Sequence, residues 1–295
     1  MVLDHQHRHV CQLGSHAAPF LYGSFEWSLA PGRVVGVRCG RLARMCVIAF
    51  AWNAHPRWRL LLVGNRDEAH ARPSAPLQRW ADAPGLIAGR DLEAGGTWMG
   101  VREPGRACVV TNVRDPRAAR DRASRGWLVT DFLQGGDLAA RHAGALEAVA
   151  TRYRPFNLLL FDEEAARFVS NDPGVCTRTI TAGIHGLSNG DLDAPWPKVR
   201  RVTAVLQDWL ASGVEGFAPL FEAFIDETPA PDAALPDTGV GIELERKLSP
   251  VFVRGESYGT RATTIIALDR EGGGIIEEHR FGPDGVAQGK TQLRF

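Results

Sequence analysis

A cysteine stands directly after an internal methionine at Met45-Cys46, and this pair offers more chemistry than any other in the chain. If synthesis starts at Met45, removing that methionine before the small Cys46 leaves the cysteine with a free α-amine. Such an amine titrates near pH ~8, so part of it acts as a base at neutrality. It sits one residue's reach from its own thiol, and an N-terminal amine is a recognised activator of hydroxyl and thiol nucleophiles. No separate histidine is then needed, and none stands at a diagnostic spacing. The plain alternative is a buried core cysteine, since Cys in an apolar strand usually packs rather than reacts.

The elements around Cys46 bring a second polar group to it. Residues 46–52 read as a buried strand, 53–58 as a turn around His55-Pro56, and 59–64 as the returning strand. With the turn centred between residues 55 and 56, Cys46 faces Asn65 across the antiparallel ladder, and Asp67 follows on the same face. A carboxylate there could hold or orient the α-ammonium. Arg66 could balance charge or bind a substrate carboxylate. A shift of one residue would bring Arg66 and Glu68 to the thiol instead of Asn65 and Asp67.

Further along, strands are expected around 86–89, 96–102 and 106–112. Ser124 is expected to cap a helix that ends near Gly135-Gly136, and a second helix covers 138–150. A hairpin follows at 157–162 and 167–170, then strands at 176–181 and 184–188. The amphipathic run 196–212 is a helix stopped by Gly213. A loop rich in Pro, Asp and Gly covers 229–241. Strands return at 250–254, 259–268 and 274–281, with Gly272-Gly273-Gly274 as a turn. Antiparallel runs at both ends with helices grouped between them define an α+β protein.

The 295 residues are 44 % hydrophobic and 23 % charged, which suits a protein that buries a full core. Formal net charge is zero, so there is no basic footprint for nucleic acid. Five widely spaced cysteines without Cys-x-x-Cys argue against a disulfide framework or zinc ribbon and fit a reducing, cytoplasmic setting. No apolar run reaches the roughly 20 residues of a membrane span, so a soluble protein is expected. Gly95-Gly96-Thr97-Trp98 is not a dinucleotide fingerprint, and no phosphate-binding loop or H-E-x-x-H occurs. Neither a cofactor nor a metal is expected, and His70, His142, His185 and His279 read as surface or core residues.

Composition shifts at residue 44. The first 44 residues are Arg-rich and acid-poor, carry His5, His7, His9 and His16, and lack either hydrophobic period. A transit peptide, a metal-binding histidine tract and a start assigned too early all fit this composition. The expected organisation is a leader over 1–44 and a single domain over 45–295 that begins at the true start, Met45.

The ordered motifs Met45-Cys46, Asn65-Arg66-Asp67-Glu68, Arg72-Pro73, Gly95-Gly96-Thr97-Trp98-Met99-Gly100, Thr111-Asn112 and Ser124-Arg125-Gly126 resemble the NRDE, or transport and Golgi organisation 2, family. Asp131-Phe132-Leu133, Asn157-Leu158-Leu159, Gly186-Leu187-Ser188-Asn189, Pro195-Trp196-Pro197-Lys198 and Tyr258-Gly259-Thr260-Arg261 continue the likeness to about residue 270. That family is in turn distantly similar to cysteine N-terminal nucleophile hydrolases, which implies a four-layer αββα sandwich. The resemblance implies Cys46 as nucleophile, Asp67 as the carboxylate on the α-amine, Asn189 as an oxyanion donor and Arg261 as a late active-site arginine. Arg66 is similar to an earlier arginine, at a different spacing from the aspartate. Asn65, Arg66 and Asn112 are the expected substrate contacts. Asn112 and Asn189 would otherwise be turn caps, and Arg261 a structural arginine. Two functions follow: an amidohydrolase or acyltransferase acting on a small amide or thioester, or a non-catalytic carrier of a hydrophobic ligand such as haem or acyl-CoA.

Overall fold

Two apolar runs around a short polar connection make the hairpin that carries Cys46. In a computed structural model, which describes residues 45–114 and 122–295, strands β1 (Met45–Trp52) and β2 (Trp58–Ala69) pair antiparallel. His55 sets the turn, its Nδ1 accepting the backbone N–H groups of Arg57 and Trp58, both at 3.1 Å. Arg270 also donates to the carbonyls of His55 and Pro56. The turn therefore centres on Pro56, and the register differs from the expected one by a residue. Cys46 faces Arg66, Met45 faces Asp67 and Val47 faces Asn65. This slip exchanges the two faces: Arg66 and Glu68 share the thiol's face, while Asn65 and Asp67 lie on the other.

The hairpin belongs to a six-stranded sheet in the order β10 (Gly183–Leu187), β1, β2, β11 (Tyr258–Asp269), β12 (Gly274–Phe281) and β13 (Ala287–Arg294). A second sheet runs in chain order through β3 (Ser74–Arg79), β4 (Leu86–Asp91), β5 (Met99–Arg102), β6 (Arg106–Asn112), β7 (Phe156–Phe161), β8 (Ala166–Ser170) and β9 (Cys176–Thr179). Alternate residues of both sheets meet in one core, in which Ile48, Phe50 and Leu62 pack with Val101, Val109 and Phe161. Phe50 and Phe161 touch edge to face at 5.4 Å.

The outer faces are covered by helices. Leu128, Phe132 and Leu133 of α1 (Gly126–Gln134) and Ala143 of α2 (Ala139–Glu147) pack on the second sheet. Val202, Leu206 and Trp209 of α3 (Pro197–Ser212) and Leu220 of α4 (Ala218–Ala223) pack on the first. Gly213 ends α3 at φ 70°, a left-handed cap that suits glycine. The architecture is α+β, a four-layer αββα sandwich.

Two further expectations are corrected. Ser124 does not cap α1: Arg125 holds the N-cap position, and no side-chain cap bond forms. The 250–254 segment is not a strand: Val251 O accepts from the Asn65 side chain, Phe252 N donates to Asp226 O, and Val253 exchanges bonds with Thr260 Oγ1 and N–H. Strands β3 and β13 and the short helices α4 and α5 (Ile242–Lys247) were not foreseen. The expected leader over 1–44 lies outside the described residues. No helix among the described residues is long and apolar enough to cross a membrane.

Glycine–glycine packing, not a cap, fixes where α1 begins. A Cβ on Gly96 would lie 2.5 Å from the carbonyl carbon of Gly126, so the 95–97 loop and the start of α1 touch backbone to backbone. Gly96→Ala should cost about 1–3 kcal/mol by forcing them apart. A denaturant midpoint giving less than about 0.5 kcal/mol, the range of an ordinary surface change, would show that the contact is dispensable.

Candidate active site

Cys46 points between the two sheets, where Ile48 and Phe50 follow it on the same face of β1. A cavity of about 390 Å³ opens there, lined by Cys46, Arg66, Glu68, Arg261, Ala262 and Arg280 from the first sheet. The second sheet and its connections add Ala75, Gly89, Trp98, Asn112 and the 124–126 segment, among others. Cys46, Arg66, Ala262 and Arg280 form a single cross-strand row. Ala262, the small member of that row, leaves room between the two arginines.

A β-bulge places the next arginine. Thr260 pairs with Asp67 and Ala262 with Arg66, so Arg261 is the unpaired extra residue of β11. Bulges of this kind re-aim side chains and recur beside active sites. The Arg261 guanidinium lines the cavity and donates to the carbonyls of Ala69 and Arg72. Burial, then the charge of Arg66, lowers its pKa. Arg66 lies 3.8 Å from Glu68, which also lies 3.8 Å from Arg72, and Arg72 is held by Asp91 at 2.8 Å and Glu93 at 2.9 Å. Six arginines and four carboxylates line the cavity, a surplus of positive charge.

The Cys46 backbone is clamped from the other side. Ser188 Oγ donates to the Cys46 carbonyl at 2.7 Å, and the Cys46 N–H points to Asn189 Oδ1 at 3.5 Å. Asn189 Nδ2 donates to the Asn112 carbonyl at 2.8 Å, Thr111 Oγ1 to Ser188 O at 2.7 Å, and Asn157 Nδ2 to Gly190 O at 2.6 Å. The turn after β10 thus ties both sheets to the cysteine. Separate motifs, Thr111-Asn112, Asn157 and Ser188-Asn189, meet there.

Behind β1 and β2 lies a second polar group. Asp67 is buried; its Oδ1 accepts from Thr260 Oγ1 at 2.6 Å, and its Oδ2 has no hydrogen-bond partner. Lys198 is buried on the first turn of α3 and donates to Leu248 O at 3.2 Å. Burial pushes the Asp67 carboxyl up and the Lys198 ammonium down, and each is the main charge opposing that shift in the other. Met45 N donates to Tyr258 Oη at 2.8 Å, and the Met45 side chain packs on Leu248, Val253 and Tyr258. Arg114 reaches Met45 Sδ and forms a buried ion pair with Glu245. The Cys46 thiol itself is pushed up to about 12, first by burial and then by the Asp67 charge.

The structure gathers Cys46, Arg66, Arg261 and Asn112 at the cavity, sets Asp67 opposite Met45 where its charge acts on the Cys46 thiol, and brings Asn189 to the Cys46 N–H. Asn65 is not at the cavity. It is fully buried on the opposite face, where Nδ2 donates to Phe224 O at 2.8 Å and Val251 O at 2.9 Å, and Oδ1 accepts from Thr263 at 2.6 Å. Sequence reasoning missed Lys198, Ser188, Tyr258 and Thr260. Each stands in a motif that carries the family resemblance, which was the signal that could have found it. The three cysteines among the described residues are all free.

An αββα sandwich with a cysteine under an arginine-rich cavity between its sheets defines the class. The chain matches the family described as Transport and Golgi organisation 2 over residues 45–283, and it belongs to that family. The human Transport and Golgi organization protein 2 homolog is 31 % identical over 255 residues, covering 77 % of this chain and 90 % of that one. The Drosophila melanogaster protein of the same name, without "homolog", is 26 % identical over 269 residues, covering 81 % and 94 %. Among solved structures, a mutant of conjugated bile acid hydrolase from Clostridium perfringens aligns with TM-score 0.49 and 9 % identity, covering 84 % of this chain and 92 % of that one. A Caenorhabditis elegans ortholog of N-acylethanolamine-hydrolyzing acid amidase aligns with TM-score 0.45 and 9 % identity, covering 75 % and 92 %.

Proposed function

We propose that Cys46, freed at its nitrogen by removal of Met45, is the nucleophile of an amidohydrolase or acyltransferase acting on a small amide or thioester. The carrying observation is the setting of Cys46, with its thiol in the cavity and its nitrogen facing Asn189 Oδ1. In the peptide-linked chain, burial and Asp67 hold the thiol protonated, so an ordinary thiolate is not available at neutral pH. A base is therefore required, and in this reading it is the cysteine's own α-amine. The amine takes the thiol proton as Sγ attacks the carbonyl carbon, then gives it to the leaving nitrogen or sulfur.

In this reading Asp67 holds the α-ammonium. Asn189 orients the nitrogen and can turn an amide N–H toward the carbonyl oxygen, a preorganised donor worth about 3 kcal/mol in the transition state. Arg66 and Arg261 draw in a substrate that carries a carboxylate or similar anion, with Asn112 at the cavity wall. The carrier reading, with haem or acyl-CoA as cargo, needs no free amine.

The test is to expose the protein to a panel of acyl thioesters and activated amides and to weigh it intact. One acyl group on the peptide that begins at Cys46, absent from Cys46→Ala, is the expected result. Tight binding of ligand with no covalent adduct would favour the carrier.

A further inference from the structure

Lys198 is an odd residue to find where it is. It lies on the first turn of a sixteen-residue helix, buried, at the end where the helix dipole disfavours a cation. Leu248 O takes one of its three N–H donors. A lysine kept there against burial and dipole needs an opposing charge. The charged or titratable groups that act on it are Asp67 of β2, Cys46 of β1, Arg114 beyond β6 and Glu245 of α5. Arg114 and Glu245 pair with each other, which leaves Asp67 as the carboxylate for Lys198.

Asp67 has the complementary deficit. Thr260 holds one oxygen, and the other is buried without a partner. A buried carboxylate with an empty acceptor is costly unless something charged arrives there. We propose that Lys198 is a positioning residue for Cys46: its ammonium keeps Asp67 ionised, and the open Oδ2 of Asp67 then receives the α-ammonium of Cys46. This rests on the reading of Cys46 as an N-terminal nucleophile. Lys198 makes no contact with the thiol, on which its charge also acts directly but less than that of Asp67, so its main route is through Asp67.

The sign follows from charge. Without the lysine, burial raises the Asp67 pKa further, so Asp67 ionises only at higher pH, and the acid limb of the reaction moves up with it. In Lys198→Met, a neutral side chain of similar length, the rate of Cys46 acylation should show an acid limb moved up by about one pH unit. At a pH on that limb the rate falls about tenfold, and at alkaline pH it recovers. Asp67→Asn should lose the part of the limb that Asp67 sets and keep that of the α-amine. The double variant Asp67→Asn, Lys198→Met should behave like Asp67→Asn, because the two residues act in series.

The experiment measures acylation by an acyl thioester against pH, on protein whose N-terminus is read by mass spectrometry as Cys46. If Lys198→Met lowers melting temperature but leaves the shape of the pH profile unchanged, Lys198 is only structural. Additive losses in the double variant would also overturn the proposal. Should Lys198→Met not fold, Lys198→Gln takes its place in the same cycle, with the same upward shift of the limb expected and an unchanged profile overturning the proposal. If the unsubstituted protein carries a Cys46 terminus and still never acylates, the nucleophile reading has failed, not the lysine assignment.

Discussion

Protein begun at Met45 and processed to Cys46 should acylate its thiol on the order of 10² to 10⁴ times faster than the full chain begun at Met1. That is the usual worth of a positioned general base, and the full chain lacks the base, since its Cys46 nitrogen is a peptide amide. The same burial that pushes the Cys46 thiol up to about 12 removes the alternative of a ready thiolate. The comparison is meaningful because the described residues 45–114 and 122–295 lie in one compact unit, with every site residue among them. Single-turnover rates on both forms, with each N-terminus weighed, give the ratio. A ratio near one would remove the α-amine from the mechanism.

Arg114→Met should destabilise the protein by about 3–5 kcal/mol, the cost of leaving one half of a buried ion pair without the other. Arg114 and Glu245 are both nearly inaccessible, and they pair beneath Met45. Thr238 also donates to Glu245, through its N–H at 3.1 Å and its hydroxyl, which softens the loss without neutralising the charge. The double variant Arg114→Met, Glu245→Leu should recover much of the stability, since an apolar replacement of a buried pair is often neutral. Urea titrations with equal m-values would measure both. A loss under about 1 kcal/mol, the range of an exposed pair, would mean that the pair is solvated.

Much of this was legible in the chain. The α+β class followed from antiparallel runs with helices between them, the four layers from the family resemblance, and α3 from its apolar face and Gly213. The register of β1 against β2 was not, because His55 and the remote Arg270 fix the turn, and no local propensity encodes Arg270. That single step mattered. It sent Asn65 to the packing of Phe224 and Val251 and brought Arg66 to the thiol. Arg261 was readable as a residue but not as a bulge, which appears only when β11 is laid against β2. Strand β13 escaped because Ala287–Arg294 is a mostly exposed edge without an apolar alternation. Lys198 escaped because a lysine on a helix normally signals a solvated face.

In the proposed mechanism the thiol and amine of Cys46 work as one group. This is tested most directly by mass spectrometry of the N-terminal peptide after brief exposure to an acyl thioester. The expected product is a peptide beginning at Cys46 that carries one acyl group on sulfur, removable by hydroxylamine and lost with time as the protein turns over. An acyl group on Cys46 in a chain that still carries Met45, formed as fast, would contradict it.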